Sequence, residues 1–235
     1  VQECLNKISV SGSHLLTLIN DVLEISKVES GKTTLNPAPF AVDELVDNLE
    51  SITRSQADGR GLQFTVERGP LEHPVLVGDK LRLSQVYLNL LNNAVKYTPA
   101  GGSVKLEVFE RPLEEETAEL VCIVSDNGMG MSEEFQKHLF EAFTREETST
   151  VSGIQGTGLG MAITKNIVTM MNGTISVEST EGKGTEFTVR LPFKVLHRSA
   201  RYEIIPQLEG VRVLVADDDS NTAISVSRMV QEIGM

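Results

Sequence analysis

The sequence has no tryptophan, few aromatic residues of any kind and two cysteines among 235 positions. So little cysteine excludes a disulfide-stapled scaffold, and a chain of this length buries enough apolar surface to fold without one. Cys4 and Cys122 fall in an expected helix and an expected strand, with no spacing suited to a metal or redox site. Both read as buried thiols of a reducing compartment. No apolar run reaches the roughly 18 residues that cross a bilayer, and no basic segment followed by an apolar one opens the chain. The expected location of this chain is cytoplasmic, with any anchoring in an inner membrane left to other parts of a parent protein. Basic residues are scarce as well: 21 Lys and Arg face 33 Asp and Glu, for a formal charge of -12. Such a surface repels a phosphate backbone, which excludes nucleic acid as a partner.

What is present has the balance of an ordinary globular protein, 40% hydrophobic and 23% charged, and it is ordered along the chain. Residues 1–31 carry apolar or small side chains in two heptad series, Ile8, Leu15 and Val22 in one and Cys4, Ser11, Leu18 and Ile25 in the other. Leu16, Ile19 and Leu23 widen the stripe beyond a two-stranded seam, which favours a four-helix bundle, and Gly31 closes the helix. Residues 32–195 read as an α/β domain. Helices are expected at Asp43 to Gly59, Asp79 to Tyr97, Glu133 to Phe143 and Gly158 to Asn172. Strands are expected at Leu62 to Val66, Val104 to Phe109, Leu120 to Ser125, Thr174 to Glu178 and Glu186 to Leu191, the last two as a hairpin across Glu181 to Gly184. Thr144 to Gln155 is polar and without periodicity. A linker holding Pro206 spans 196–209, and 210–235 opens with a buried-type strand, Val211 to Ala216, followed by Asp217, Asp218, Asp219 and a helical stretch. Val1 stands where an initiator Met would, and Met235 falls inside a helical pattern, so both ends read as cut from a longer protein.

Three segments carry chemistry. On the Asp79 to Tyr97 helix, Gln85, Asn89, Asn92 and Lys96 recur at helical spacing beside an apolar face, with Asn93 and Tyr97 bordering the stripe. Amides on a helix this apolar need partners, and a nucleotide with its metal supplies them: an amide oxygen can ligate Mg²⁺, and Lys meets phosphate as a point charge. A polar edge packed on another surface would look the same. Asp126-Asn127-Gly128-Met129-Gly130 follows an apolar strand; its carboxylate can accept from an exocyclic amine, and its glycines admit a flat ring, although an ordinary strand-to-helix turn favours the same residues. Gly156-Thr157-Gly158-Leu159-Gly160 enters a helix N-terminus, where free N–H groups suit phosphate; the alternative is a hinge. It is neither a Walker A loop nor a dinucleotide fingerprint. Ser30-Gly31-Lys32-Thr33 imitates a Walker A tail but follows a helix instead of a strand.

Taken in order, Asn89 to Thr98, Asp126 to Gly130, Phe140-Glu141-Ala142-Phe143, Gly156 to Gly160 and Gly182-Lys183-Gly184-Thr185 resemble the N, G1, F, G2 and G3 boxes of sensor histidine kinases. The similarity runs from about Gln2 to Phe193, because Ile25 to Lys32 resembles the end of the second helix of that family's dimerisation hairpin. It implies a two-layer α/β sandwich of the histidine kinase, gyrase and Hsp90 ATPase type, binding ATP with Mg²⁺. It further implies that Asn93 ligates Mg²⁺, that Asn89 and Lys96 face the phosphates, that Tyr97 lines the adenine pocket and that Asp126 binds the adenine amine. Gly128, Gly130, Phe143, Gly156, Gly158, Leu159 and Gly160 would shape the pocket and its lid, the lid being Thr144 to Gln155, with Thr185 near the pocket base. Two departures stand out: Ala142 replaces the usual Pro of the F box, and the family's phosphorylated histidine, with the carboxylate beside it, would lie upstream of Val1. Val213 to Asp219 resembles the first strand and acidic pair of a response-regulator receiver domain, which makes a hybrid kinase the expected parent.

The resulting expectation is the ATP-binding catalytic part of a histidine kinase that phosphorylates an upstream histidine for relay to a receiver aspartate, and that dimerises through the helical hairpin of its parent. A gyrase- or Hsp90-type ATPase, or a non-catalytic nucleotide-binding module, are the rival readings. His14 is the nearest imitation of an acceptor, but Leu15, Leu16 and Thr17 follow it where an acidic residue would have to take the imidazole proton. The chain is therefore expected not to label itself: incubation with γ-labelled ATP and Mg²⁺ should leave no acid-labile, base-stable phosphate, and label mapped to His14 would overturn the placement of that helix.

Overall fold

The computed structural model describes residues 34–114, 116–144 and 157–195, together with Gly12, Ile19, Leu23, Val211, Val213, Leu214, Val215, Val226, Ser227 and Val230. Two compact units divide the chain, Val1–Val195 and Leu196–Met235. In the first, Gly12, Ile19 and Leu23 are helical, with Ile19 and Leu23 exposed. The rest of the helix expected over 1–31, including His14, lies outside the described residues, as do the 196–209 linker and the Asp217 to Asp219 run.

Seven strands form one sheet: β1 (Ala38–Ala41), β2 (Gln63–Arg68), β3 (Val75–Gly78), β4 (Ser103–Glu114), β5 (Thr117–Asp126), β6 (Thr174–Thr180) and β7 (Gly184–Val195). Their order is β1-β3-β7-β5-β4-β2, with β6 also pairing with β7, and every pair is antiparallel except β2 with β4. Alternation sorts the side chains. Thr185, Phe187, Val189, Leu191, Phe193 and Val195 of β7 are buried on one face, continuous with Ala118, Leu120, Cys122 and Val124 of β5 and with Val104, Leu106 and Val108 of β4.

Three helices, α1 (Val42–Gly59), α2 (Lys80–Tyr97) and α4 (Gly160–Met170), supply the facing layer, and a short α3 (Glu133–His138) precedes α4. Helix α1 turns Val42, Leu45, Val46, Leu49 and Ala57 inward at helical spacing. Helix α2 does the same with Leu83, Val86, Tyr87, Leu90, Leu91, Ala94 and Val95. Its start is fixed by Asp79, whose carboxylate accepts from the Arg82 N–H at 3.0 Å and from the Asn36 N–H at 2.9 Å. The two-layer α/β sandwich implied by the sequence is the observed fold.

Three local differences have physical causes. Strands β1 and β3 were not expected; each is four residues long, and β1 includes Pro39, which an edge strand tolerates. The expected Glu133 to Phe143 helix ends at His138, because the Phe143 N–H donates to the Gly158 carbonyl at 3.0 Å and Phe143 takes a left-handed φ of 65°. The next helix begins at Gly160 and not at Gly158, whose φ of 72° is incompatible with a right-handed turn. Glu110 lies on the buried face of β4, where its carboxylate accepts from the His73 N–H at 2.9 Å and meets His73 Nδ1 at 2.6 Å, tying down the segment between β2 and β3.

Tyr87 is fully buried, and its hydroxyl has no hydrogen-bond partner among the described residues. An orphaned buried hydroxyl costs about 1 kcal/mol or more. Tyr87→Phe is therefore expected to raise stability by about 1 kcal/mol in urea unfolding, and a loss of that size would mean that the hydroxyl is partnered.

Candidate functional site

A cavity of about 350 Å³ opens between α2, α4 and the end of β5, large enough for a nucleotide-sized ligand. Helix α2 contributes Asn89, Asn92, Asn93, Lys96 and Tyr97, which lie outside its buried stripe, together with Ala94 at the edge of that stripe. Strand β5 ends in Asp126, and β7 contributes Thr185 and Phe187. Met129, Met131, Phe135 and Leu139 form an apolar wall, while Thr144, Thr157, Gly158, Gly160 and Met161 close the remaining side.

Pairing places the carboxylate. Asp126 stands opposite both Val104 of β4 and Thr185 of β7 in the antiparallel register, at the mouth of the sheet. Its Oδ1 accepts from the Gly128 N–H at 2.8 Å, an Asx turn that holds the side chain inward. Burial pushes its pKa up to about 6, against the opposing pull of the Gly128 and Thr185 backbone N–H groups. The Asp126 to Gly130 loop is in turn fixed to α2 by the Met129 N–H, which donates to the Tyr97 carbonyl at 3.2 Å.

Two of the glycines also serve packing. At Gly130, with φ 65°, an added Cβ would collide with the Thr180 carbonyl oxygen, so this glycine lets the loop that borders the cavity pack against the β6–β7 turn. At Gly160 an added Cβ would lie 2.5 Å from Asn89 Oδ1, so the glycine allows α4 to abut the amide stripe of α2. Across that junction Asn89 Nδ2 donates to Thr164 Oγ1 at 2.8 Å and Asn93 Nδ2 to Met161 Sδ at 3.3 Å. Lys96 Nζ sits over the Tyr97 ring, 4.8 Å from its centroid. At the base, Ser179 Oγ bonds Thr185 Oγ1 at 2.9 Å and accepts from the Met131 N–H at 2.9 Å.

Of the residues singled out in the sequence, Asn89, Asn93, Lys96, Tyr97, Asp126, Gly130, Gly158, Gly160 and Thr185 meet around this one cavity. Gly128 stands directly behind it, bound to Asp126. Leu159 is fully buried in the core and Phe143 is turned to solvent at 68% exposure, so neither lines the cavity. Gly156 and the lid expected at Thr144 to Gln155 lie outside the described residues, save Thr144 itself. Sequence reasoning missed Met161 and Thr164, which sit at the start of α4 and one turn into it and carry no signal beyond helical periodicity.

Comparison with known proteins agrees with the fold. The family described as histidine kinase-, DNA gyrase B-, and HSP90-like ATPase matches residues 78–195. The autoinducer 2 sensor kinase/phosphatase LuxQ of Vibrio harveyi is 34% identical over 100% of this chain and 28% of its own length. The circadian input-output histidine kinase CikA of Synechococcus elongatus is 35% identical over 99% of this chain and 30% of its own. The chain thus spans under a third of the length of these relatives. Among solved structures, full-length ShkA in complex with AMPPNP superposes with a TM-score of 0.67 at 29% identity, covering 95% of this chain and 45% of that one. The mycobacterial sensor histidine kinase MprB gives a TM-score of 0.52 at 28% identity, covering 68% of this chain and 100% of that one.

The raised pKa of Asp126 has a consequence for stability. A carboxyl that protonates more readily when folded lends stability below its unfolded value near 3.8 and loses that contribution as the pH rises through about 6. Asp126→Asn is expected to flatten this window and to raise ligand-free stability at pH 7 by about 1 kcal/mol, after allowance for solvent screening. Urea unfolding between pH 4 and pH 7 tests it; identical pH profiles for the two proteins would contradict a desolvated carboxylate.

Proposed function

Because the chain belongs to the histidine kinase-, DNA gyrase B-, and HSP90-like ATPase family, and its relatives along its whole length are sensor histidine kinases, we propose that it binds ATP with Mg²⁺ in this cavity. In the parent protein, the γ-phosphate passes to a histidine for relay to a receiver aspartate. One observation carries the reading: a partly buried carboxylate stands at one end of an apolar slot whose other end is lined by amides and a lysine. An adenine ring fits the slot between Met129, Met131, Phe135 and Leu139, its amine donating to Asp126. Gly128 and Thr185 hold that carboxylate in place, and Tyr97 borders the ring. The triphosphate then runs along α2 toward Asn89 and Lys96 and the first turn of α4, where free backbone N–H groups favour anions. Phosphoryl transfer asks mainly for positioning and charge neutralisation, which these groups supply.

Mg²⁺ fits the donor set. Among the described residues no group of three His, Cys, Asp or Glu could hold a metal ion, but Mg²⁺ needs few protein ligands when phosphate and water complete its shell. Asn93 offers an amide oxygen at the cavity and would hold the ion against the phosphates, where the ion neutralises their charge. The fold alone is shared by gyrase- and Hsp90-type ATPases; the sensor kinases matched across 99–100% of the chain disfavour that alternative. Resemblance of Val213 to Asp219 to a receiver start supports a hybrid parent, and resemblance of Ile25 to Lys32 to the end of the family's second hairpin helix supports dimerisation of that parent through the hairpin. No helix of the described residues is long and apolar enough to cross a membrane.

Asp126→Asn is expected to weaken binding of a non-hydrolysable ATP analogue about 10- to 100-fold, the equivalent of a lost charge-assisted hydrogen bond of about 1.5–3 kcal/mol. Calorimetry measures it, and equal affinities would remove Asp126 from the adenine site.

A further inference from the structure

Asn89 and Asn93 lie one helical turn apart on α2, and both turn their amide nitrogens toward α4. Asn89 Nδ2 donates to Thr164 Oγ1 at 2.8 Å, and Asn93 Nδ2 donates to Met161 Sδ at 3.3 Å, with Asn89 Nδ2 3.9 Å from the same sulfur. Thr164 is buried and Met161 lines the cavity.

The two acceptors differ in what they permit. A threonine hydroxyl accepts or donates, so it holds an amide in either orientation. A thioether sulfur has lone pairs and no proton, so only the NH₂ half of an amide can bond to it. Among the described residues the Asn93 side chain makes no other hydrogen bond. Met161 is thus the group that decides which end of Asn93 remains for the cavity, and it leaves the carbonyl oxygen. The sulfur reaches this position because Gly160 has no Cβ; one there would lie 2.5 Å from Asn89 Oδ1 and hold α4 away from α2.

We propose that Met161 is a positioning residue: its sulfur takes up the Asn93 NH₂ and presents the Asn93 carbonyl oxygen to a divalent cation before any ligand arrives. The inference rests on the reading of Asn93 as a Mg²⁺ ligand. Without the sulfur, the amide flips between two orientations and only one is competent to ligate. Apparent affinity falls by the fraction of competent protein, about twofold when the two are equally populated and more when the flipped form prevails.

The test is Met161→Leu, which conserves volume and apolar character and removes only the acceptor. Binding of a non-hydrolysable ATP analogue is measured by calorimetry with Mg²⁺ and again with EDTA, and the ratio of the two affinities is the readout. The expected result is a Mg²⁺ enhancement two- to fivefold smaller in Met161→Leu than in wild type. A change in both affinities that leaves the ratio intact would reduce Met161 to a packing role and overturn the proposal. Absence of any Mg²⁺ enhancement in wild type would overturn the Asn93 reading and this inference with it, whereas an equal enhancement in both proteins would overturn this inference alone. A second measurement needs no ligand: the side-chain NH₂ signal of Asn93 in ¹⁵N-labelled protein should exchange with solvent faster in Met161→Leu. Equal exchange in the two proteins would show that the sulfur does not hold the amide.

Discussion

The rotation of α2 about its own axis is set by seven buried side chains, from Leu83 to Val95, that lock it onto the sheet and its neighbouring helices. Core interiors are close-packed, so a helix held by so many contacts cannot turn by even a few tens of degrees without opening voids. Everything polar on that helix inherits its direction from this packing. Asn89, Asn93 and Lys96 face the cavity because Leu90, Leu91 and Val95 are turned into the core. The amide stripe is therefore preorganised by apolar contacts that never touch a ligand, which is how a site keeps its geometry without spending binding energy on ordering.

A second constraint meets the first at Asp126. Strands β4 and β7 flank β5 on either side, so the carboxylate sits at a point where three strands end in register. The sheet gives it a rigid backbone and the Gly128 turn gives it a fixed rotamer, while burial keeps its charge poorly solvated. A ligand amine would relieve that desolvation, so the feature that destabilises the empty protein at neutral pH is also the one that favours an occupied site.

Much of this was legible in the amino-acid sequence because it follows local periodicity. The 3.6-residue recurrence of Asn89, Asn92 and Lys96 identified one side of α2, and the apolar run ending at Asp126 placed the carboxylate at a strand terminus. What was not legible depends on neighbours distant in the chain. The bond between Met161 and Asn93 joins residues whose only relation is that α4 packs on α2, and Met161 alone looks like any core methionine. Strands β1 and β3 are too short to show alternation; β3 exists because β7 offers it an edge, and β1 because β3 then offers it one. The early end of α3 was hidden for the same reason, since the carbonyl that captures the Phe143 N–H belongs to Gly158, beyond a segment with no pattern of its own.

That last bond bears on how the protein can vary. Phe143 and Gly158 hold the two ends of the intervening stretch together beside the cavity, so the entropy of closing that stretch into a ring is already met by the scaffold. Doubling the length of a flexible ring costs only about 0.6 kcal/mol more. Insertions and deletions between Thr144 and Thr157 therefore cost little in loop closure, which makes this stretch a place where related proteins can diverge in length while the residues at its two ends keep their places at the cavity.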